Sequence, residues 1–430
     1  MRYTNAPAEL FIFNRDRLAK QLDPGALAVF NANDIMPTSA DGTMGFVQQT
    51  DLFYLSGIDQ EETILLVFPD AIDEQNREVL FLKETNEEIA IWEGAKVSKE
   101  EASALSGIKT VHWLSQFDSV FKMLAFQAKS IYLNGNEHLR CSTLVESRDA
   151  RFDRWCRERY PLHNYQRLQP LMHELRVIKS KWEIDQLQKA IDITELGFRR
   201  VLNFVRPGVA EYEIEAELIH EFVRNRSRRF AFQPIIGSGF NGCVLHYVEN
   251  KDLCKDGDLV LMDFGAEYGN YNADVTRTIP VNGRFTKRQK DVYNSVLKVQ
   301  REAMKLLVPE NTIPEYHKEV GKVMENELLG LGLISKTDIK LQNPNTPAVK
   351  KYFMHGTSHH LGLDVHDYGY PHMRMQPGMV FTVEPGIYIR EENLGIRLEN
   401  NVLITEKGLI DLTANIPIEP DEIEDLMNRR

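Results

Sequence analysis

The sequence predicts an α+β protein with a mixed α/β region in front of it, and three features of its pattern support this. Up to about residue 170, short apolar runs such as "ALAVF" and "TILLVF" alternate with helical stretches. Long amphipathic helices fill the middle of the chain. The end of the chain returns to strand patterns, "GMVFTVEPGIYI" and "GIRLENNVLIT". Helices and strands that fall in separate runs favour an α+β domain.

The first region is predicted to be a mixed α/β domain over residues 1–172. Its strand patterns continue in "NREVLFLK" and "SIYLNG", each separated from the next by helical stretches. No Gly/Ser-rich or Pro-rich linker marks its end, so the boundary is placed where the pattern changes. A chain of 430 residues is long enough for two or three domains.

The second region, residues 173–430, opens on a predicted helix that ends at Pro207-Gly208. A second helix is predicted in "AEYEIEAELIHEFVRN", and two more between about residues 286 and 330. Between these pairs, "GDLVLMDFGAEYGNYNADVTRTIPVNG" holds two strand patterns around a Gly-Asn turn, which predicts a β-hairpin. The apolar positions that recur at helical spacing in the first helix are Ile184, Leu187, Ala190, Ile191, Thr194 and Phe198.

Composition excludes several classes of protein. The net charge of −12 argues against a nucleic-acid or anionic-membrane partner. No stretch approaches the roughly 20 apolar residues of a membrane span, and the first residues do not resemble a secretory signal. Four cysteines without CxxC spacing indicate free thiols in a reducing compartment. We therefore expect a soluble cytoplasmic protein.

Histidines are concentrated in "MHGTSHHLGLDVHD", residues 354–367, which holds four of the twelve in the chain. A core usually accommodates single histidines. Four together indicate metal ligation, proton transfer or both. They are His355, His359, His360 and His366.

Four carboxylates lie in or at the end of strongly apolar strand patterns. They are Asp263 in "LVLMD", Asp274 in "ADVTRT", Glu384 in "VFTVEPG" and Glu399 in "IRLEN". Buried carboxylates held together need basic partners or metal ions. Two divalent cations would balance four carboxylates, and one histidine would complete an oxygen-rich set suited to Mn, Co or Fe.

The same acids also have ordinary structural explanations. An Asp at the end of a strand is commonly a turn former, and a Glu in a strand commonly faces solvent. Arg277 and Arg397 could serve as their ion-pair partners. Spacing and periodicity therefore leave both the metal site and the structural explanation open.

A resemblance to a known family favours the metal site. In order, "DFGAEYGNYNADVTRT", "HGTSHHLGLDVHD", "TVEPGIYI" and "GIRLEN" resemble the motifs of the pita-bread metallopeptidases, and within them those of the Xaa-Pro aminopeptidase (aminopeptidase P) group. "NDIMPTSADGTMGFVQQTDLFYLSG" is similar to the N-terminal domain of that group. The resemblance covers nearly the whole chain. It implies a pita-bread (creatinase/aminopeptidase-like) catalytic domain over residues 173–430, preceded by a domain that serves oligomerisation or substrate access.

The resemblance also implies a dinuclear metal site. Asp263 would bind one ion, Asp274 and Glu399 would bridge both, and His359 and Glu384 would complete the second. Mn²⁺ is the expected metal, with Co²⁺, Fe²⁺ or Zn²⁺ as alternatives.

Catalytic roles are implied for Glu384 as the base and for His246, in "GSGFNGCVLHY", and His366. His355 would face the substrate, whereas His360, next to the ligand on an extended strand, would point away and be structural.

Two further residues each keep two explanations. Arg397 could contact substrate or hold the carboxylates in place as an ion-pair partner. Trp92, in "IWEGAKVS", resembles a tryptophan that reaches the site of a neighbouring subunit, and packing in the core is its alternative.

The implied function is a metal-dependent exopeptidase that releases the N-terminal residue from peptides with proline in second position, by attack of a hydroxide activated between the two metals. A homodimer or homotetramer is expected. The nearest alternative is a proline dipeptidase, and an alternative from another class is a non-catalytic peptide-binding module on the same fold. A metal-free creatinase-like enzyme is disfavoured because all five ligands are present.

Overall fold

The computed structural model describes residues 3–142, 144–343 and 346–429. Within them the chain forms two compact units, which are described separately. The first unit is Thr4–Arg176, and the second begins at Val177 and also includes Tyr3. The predicted domain boundary after residue 172 lies a few residues before the boundary between these units.

The first unit is a mixed sheet with helices, which confirms the predicted α/β class. Its strands are β1 (Ala26–Asn31), β2 (Ile64–Val67), β3 (Glu78–Leu82), β4 (Thr110–Trp113), β5 (Ser130–Leu133) and β6 (Asn164–Arg167). They form one sheet in the order β4-β3-β2-β1-β5-β6, with β2 antiparallel to both of its neighbours and the remaining pairs parallel. The helices are α1 (Ala8–Ala19), α2 (Thr50–Ser56), α3 (Glu87–Glu93), α4 (Lys99–Ser106), α5 (Phe117–Gln127), α6 (Arg148–Arg159) and α7 (Gln169–Arg176).

The core of this unit explains why its strands are continuous apolar runs. Val29, Leu66 and Phe81, from neighbouring strands, are buried together with Phe121 of α5. Every residue of β1 and β2 is buried. A strand covered on both faces has no solvent-facing positions and therefore loses the alternation of polar and apolar residues.

The second unit combines helices with antiparallel strands, which confirms the α+β prediction. The helices are α8 (Lys181–Phe204), α9 (Glu211–Arg224), α10 (Lys287–Leu306), α11 (Ile313–Gly330), α12 (Lys336–Leu341) and α13 (Pro420–Asn428). The strands are β7 (Ile235–Ser238), β8 (Leu259–Phe264), β9 (Glu267–Tyr268), β10 (Tyr271–Asn272), β11 (Val275–Pro280), β12 (Val380–Val383), β13 (Gly386–Ile389), β14 (Leu394–Arg397), β15 (Asn400–Thr405) and β16 (Gly408–Asp411). They pair as β11-β8-β7, β12-β15-β16, β13-β14 and β10-β9.

Helix α8 begins where its sequence predicts. The side chain of Ser180 accepts from the backbone N–H of Glu183, and the Glu183 side chain accepts from that of Ser180, which forms a capping box. Five of the six predicted apolar positions are buried, the exception being Ile184. The helix ends before Pro207, as expected from the missing N–H of proline.

The predicted hairpin is also present. Strands β8 and β11 pair antiparallel with Thr276 opposite Asp263. At the tip, β9 and β10 turn through Gly269 and Asn270, whose φ angles of 59° and 68° suit a type I′ turn. The hairpin therefore fixes the separation of the two aspartates in its arms.

Two expectations from composition can be compared with the structure. All four cysteines are free thiols, and Cys141 alone among them is exposed. In the parts of the chain that the structure describes, every helix is too short or too polar to cross a lipid bilayer.

Candidate metal centre

The predicted ligands come from the ends of strands in the second unit. Asp263 lies on β8, Asp274 directly precedes β11, and Glu384 directly follows β12. Glu399 lies in the short connection between β14 and β15, and its backbone N–H donates to the carbonyl of Thr276 at 3.0 Å. Pairing between strands therefore brings acids that are distant in sequence to one place.

Asp274, His359 and Glu399 form the centre of the group. One ligand atom of each lies within 4.8 Å of the others. His359 Nε2 is 3.4 Å from Asp274 Oδ2 and 3.7 Å from Glu384 Oε1. These distances suit donors arranged around a cation.

Asp263 lies beside this group. Its Oδ2 accepts from Arg397 Nη2 at 2.7 Å. Its Oδ1 is buried and has no hydrogen-bond partner among the described residues. A buried carboxylate oxygen without a partner is costly unless a ligand satisfies it, and a metal ion bound by this group would do so.

The negative charge of the site also indicates that it binds cations. Burial, followed by the charge of Asp263, raises the pKa of Asp274 well above its usual value. Burial and the charge of Asp274 do the same to the pKa of Glu399. Burial is also the main cause that raises the pKa of Glu384 to about 7. Four carboxylates can be ionised together here only if positive charge is supplied, and two divalent cations would balance them.

The orientation of His359 is suited to metal ligation. Its Nδ1 donates to the carbonyl of His360 at 2.9 Å. This hydrogen bond leaves the lone pair of Nε2 directed at the carboxylates. Metal-binding histidines typically have their second ring nitrogen held in this way.

A directed chain of hydrogen bonds connects the acids to His355. Arg397 Nη1 donates to Tyr388 Oη at 2.8 Å, and Tyr388 Oη lies 2.7 Å from His355 Nε2. His355 Nδ1 lies 2.7 Å from the carbonyl of Gly356, to which it can only donate. Tyr388 therefore donates to Nε2. Burial, and then the charges of Arg397 and Lys350, lower the pKa of His355 to about 3.

The other predicted histidines differ in their surroundings. The ring of His366 packs edge-on against that of His359, with 4.3 Å between centroids. His246 is exposed on the turn after Gly239–Cys243. His360 is buried and packs against Phe381 of β12, in agreement with a structural role. The structure thus brings His355 and His366 to the carboxylates.

Arg397 and Trp92, for which the sequence allows two explanations each, differ in their burial. Arg397 is 4% exposed, and its Nε also donates to Thr276 Oγ1 at 3.1 Å. Its observed partners are therefore groups that surround the acids. Trp92, on α3 of the first unit, is 85% exposed, so the alternative of core packing within this chain is wrong.

Sequence reasoning did not identify Tyr388 or Thr276 as parts of the site. Thr276 Oγ1 donates to Glu399 Oε2 at 2.8 Å and so orients a predicted bridging ligand. The only signal for Thr276 was that it shares a strand face with Asp274. Tyr388 lies within the quoted motif "TVEPGIYI", but the spacing gives no indication that its hydroxyl would reach His355.

Comparison with known proteins gives a family for each region. The family model described as metallopeptidase family M24 matches residues 185–406. The model described as the aminopeptidase P N-terminal domain matches residues 11–132.

Curated relatives match over most of the chain. The chain is 36% identical to an Xaa-Pro aminopeptidase of Escherichia coli, over 96% of both chains. It is 29% identical to Xaa-Pro aminopeptidase 3 of Homo sapiens, over 89% of this chain and 77% of that protein.

Solved structures agree. Proline aminopeptidase P II from Yersinia pestis has a TM-score of 0.88 at 32% identity, over 99% of this chain and all of that one. Zinc-substituted E. coli aminopeptidase P in complex with product has a TM-score of 0.87 at 34% identity, over 99% of both chains.

Proposed function

The chain belongs to metallopeptidase family M24, and we propose that it is an Xaa-Pro aminopeptidase, which releases the N-terminal residue from peptides with proline in second position. The main support is the buried group of acids around His359, in a chain that matches Xaa-Pro aminopeptidases over its full length. The whole donor set of the family motif is present, so a peptide-binding module without catalysis is disfavoured.

We assign Asp263, Asp274, His359, Glu384 and Glu399 as the ligands of two divalent metal ions, with Asp274 and Glu399 as the bridging pair. The oxygen-rich donor set supports Mn²⁺, with Co²⁺, Fe²⁺ and Zn²⁺ as alternatives. When bound, the ions supply Lewis acidity and lower the pKa of a water molecule.

The remaining catalytic roles are assigned to three side chains of this site. Glu384, whose carboxylate lies 3.7 Å from His359 Nε2 within the group of acids, is suited to accept a proton from the attacking water and to return it. His246 and His366 are assigned to stabilise charge on the carbonyl oxygen as the tetrahedral carbon forms. An N–H group of each ring would donate a hydrogen bond to that oxygen, and this bond strengthens as negative charge develops on it.

His355 is assigned to substrate positioning, because it is neutral at neutral pH and its ring is held by Tyr388 and Gly356. A neutral ring held in place can contact the proline by shape. Recognition by shape is needed because an X–Pro bond has no N–H. A direct substrate contact of Arg397 remains a prediction, since its observed partners are Asp263, Thr276 and Tyr388.

The exposure of Trp92 is compatible with a contact to a neighbouring subunit in a homodimer or homotetramer. We propose such an assembly and a cytoplasmic location from the resemblance. The free thiols fit a reducing compartment.

A substrate panel with added Mn²⁺ tests the proposal. Ala-Pro-Ala should lose its first residue, whereas Ala-Ala-Ala should be nearly inert. Comparable rates on both would contradict proline specificity, and cleavage of Ala-Pro alone would identify a proline dipeptidase. Metal analysis should find about two transition ions per chain, and a chelator should abolish activity without unfolding the protein. A chain without bound metal would be the non-catalytic module.

A further inference from the structure

Lys179 and Asp367 form a buried ion pair in the second unit. Lys179 Nζ lies 2.7 Å from Asp367 Oδ2, and each side chain is only 1% exposed. Lys179 directly precedes the capping residue of α8, and Asp367 directly follows His366. The pair therefore connects the start of a long helix to the segment 354–367, which carries three of the proposed functional histidines.

The ion pair is closely packed against its surroundings. A Cβ atom at Gly362 would lie 2.0 Å from Asp367 Oδ2 and 2.9 Å from Lys179 Nζ, so a side chain at this position would displace the pair. The second carboxylate oxygen of Asp367 accepts from the backbone N–H of Tyr368 at 2.8 Å. The backbone N–H of Lys179 donates to the carbonyl of Gly378 at 2.9 Å.

Asp367 is also linked to the metal ligand His359. Its backbone N–H donates to the carbonyl of His360 at 3.0 Å, and the same carbonyl accepts from His359 Nδ1 at 2.9 Å. His359 is held independently, because its carbonyl accepts from the backbone N–H of Thr382 on β12 at 3.0 Å. His366 lies in an irregular and exposed part of the segment. Of these two histidines, His366 is the one whose backbone continues directly into Asp367, so a shift of Asp367 would move it first.

We propose that Lys179 is a positioning residue for His366, and that it acts by holding Asp367 so that the His366 ring stays against His359 near the carboxylates. This inference rests on the proposed peptidase function and on the role assigned to His366. Lys179 itself contacts no substrate. Its ammonium group holds the Asp367 side chain through the 2.7 Å contact, and without that contact residue 367 would shift and carry His366 with it.

The test compares the change Lys179→Met in two backgrounds, wild type and His366→Ala, with Ala-Pro-Ala as substrate. In wild type, kcat should fall roughly ten- to hundredfold, which is less than the roughly 10²- to 10⁴-fold loss expected when the acid–base group itself is removed, with KM and bound metal nearly unchanged. In the His366→Ala background the same change should lower kcat less than about threefold, because two changes that act through one group are not additive. Lys179→Arg should recover most of the activity.

A purely structural role would give a different result. A lower folded fraction would reduce kcat by the same factor in both backgrounds, and this result would overturn the proposal. Loss of metal in Lys179→Met would also overturn it, because the effect would then act through His359. An inert wild-type protein would instead contradict the proposed function.

Lys179→Met alone can fail to fold, because it leaves Asp367 buried without a partner. The double variant Lys179→Met/Asp367→Asn removes both charges and keeps the shape of the acid, so it is used in the same two backgrounds. Full activity of this folded double variant would show that the ion pair does not position His366.

Discussion

Arg397 donates from Nη2 to Asp263 Oδ2 at 2.7 Å, and both side chains are largely buried. Burial alone would lower the pKa of Arg397, but Tyr388 and Asp263 raise it well above its ordinary value. The same guanidinium reaches Thr276, and through it Glu399. One cation therefore contacts Asp263 directly, Glu399 through Thr276, and the tyrosine that holds His355.

This arrangement predicts that Arg397→Lys is not a conservative change. Lysine keeps the charge, but its single ammonium cannot reproduce three bonds in the fixed geometry of a guanidinium. We expect metal affinity to fall about 10- to 100-fold, as is typical when the outer partner of a metal ligand is lost. A titration of the metal-free protein with Mn²⁺ measures this. Arg288→Lys is the matched control, because Arg288 forms a two-bond pair with Glu392 away from the site. Equal affinities for both variants would show that Arg397 does not support the ligands.

Asp274 and His366 should separate metal binding from catalysis. Asp274→Asn removes one charge from four that balance two cations, so metal and activity should be lost together. His366→Ala removes no assigned ligand, so bound metal should stay near the wild-type amount while kcat falls roughly 10²- to 10⁴-fold. Metal content and kcat are measured on both variants, with Asp256→Asn as an exposed control. If His366→Ala lost its metal, or Asp274→Asn kept both ions, the assigned roles would be wrong.

The metal-free protein should show an unusual dependence of stability on pH. The pKa of Glu384 rises from 4.5 to about 7 on folding. Between these values the folded state holds more protons than the unfolded state, so the contribution of Glu384 to stability is lost as the pH rises. Metal-free Glu384→Gln lacks this titration. Its free energy of unfolding should match that of the wild type near pH 4.5 and exceed it by about 3 kcal/mol above pH 7.

Denaturant unfolding in a chelator, at several pH values, measures that difference. With metal bound the order should reverse, because the variant lacks a ligand and binding to the folded state is stabilising. A constant difference across the pH range would mean that Glu384 is not destabilised in the metal-free site.

The local pattern of apolar and polar residues predicted the fold class and the position of the four acids on strands. It did not predict which distant segments of the chain are in contact. Alternation along β8 and the hairpin tip at Gly269 and Asn270 were sufficient to place Asp263 near the other arm. Lys179 and Asp367 are separated by 188 positions. No sequence motif or periodic pattern predicts that the two residues are in contact. Such contacts depend on the packing of loops against helix ends, for which a single sequence carries no periodic signal. The identity of the ligands came from the family resemblance, since charge alone left ion pairing open.

Tyr388 gives the last prediction, because its hydroxyl links Arg397 to His355. Burial raises its pKa to about 12, so it remains a donor at neutral pH. Tyr388→Phe removes that donor and leaves the ring in place, so the metal should remain bound. A neutral hydrogen bond contributes about 0.5–1.5 kcal/mol, so kcat/KM for Ala-Pro-Ala should fall up to about tenfold. Tyr293→Phe is the control, because this buried hydroxyl donates to the carbonyl of Ile418 instead. Equal kcat/KM for the two variants would show that the position of His355 does not depend on Tyr388, and loss of metal from Tyr388→Phe would place the tyrosine among the supports of the ligands.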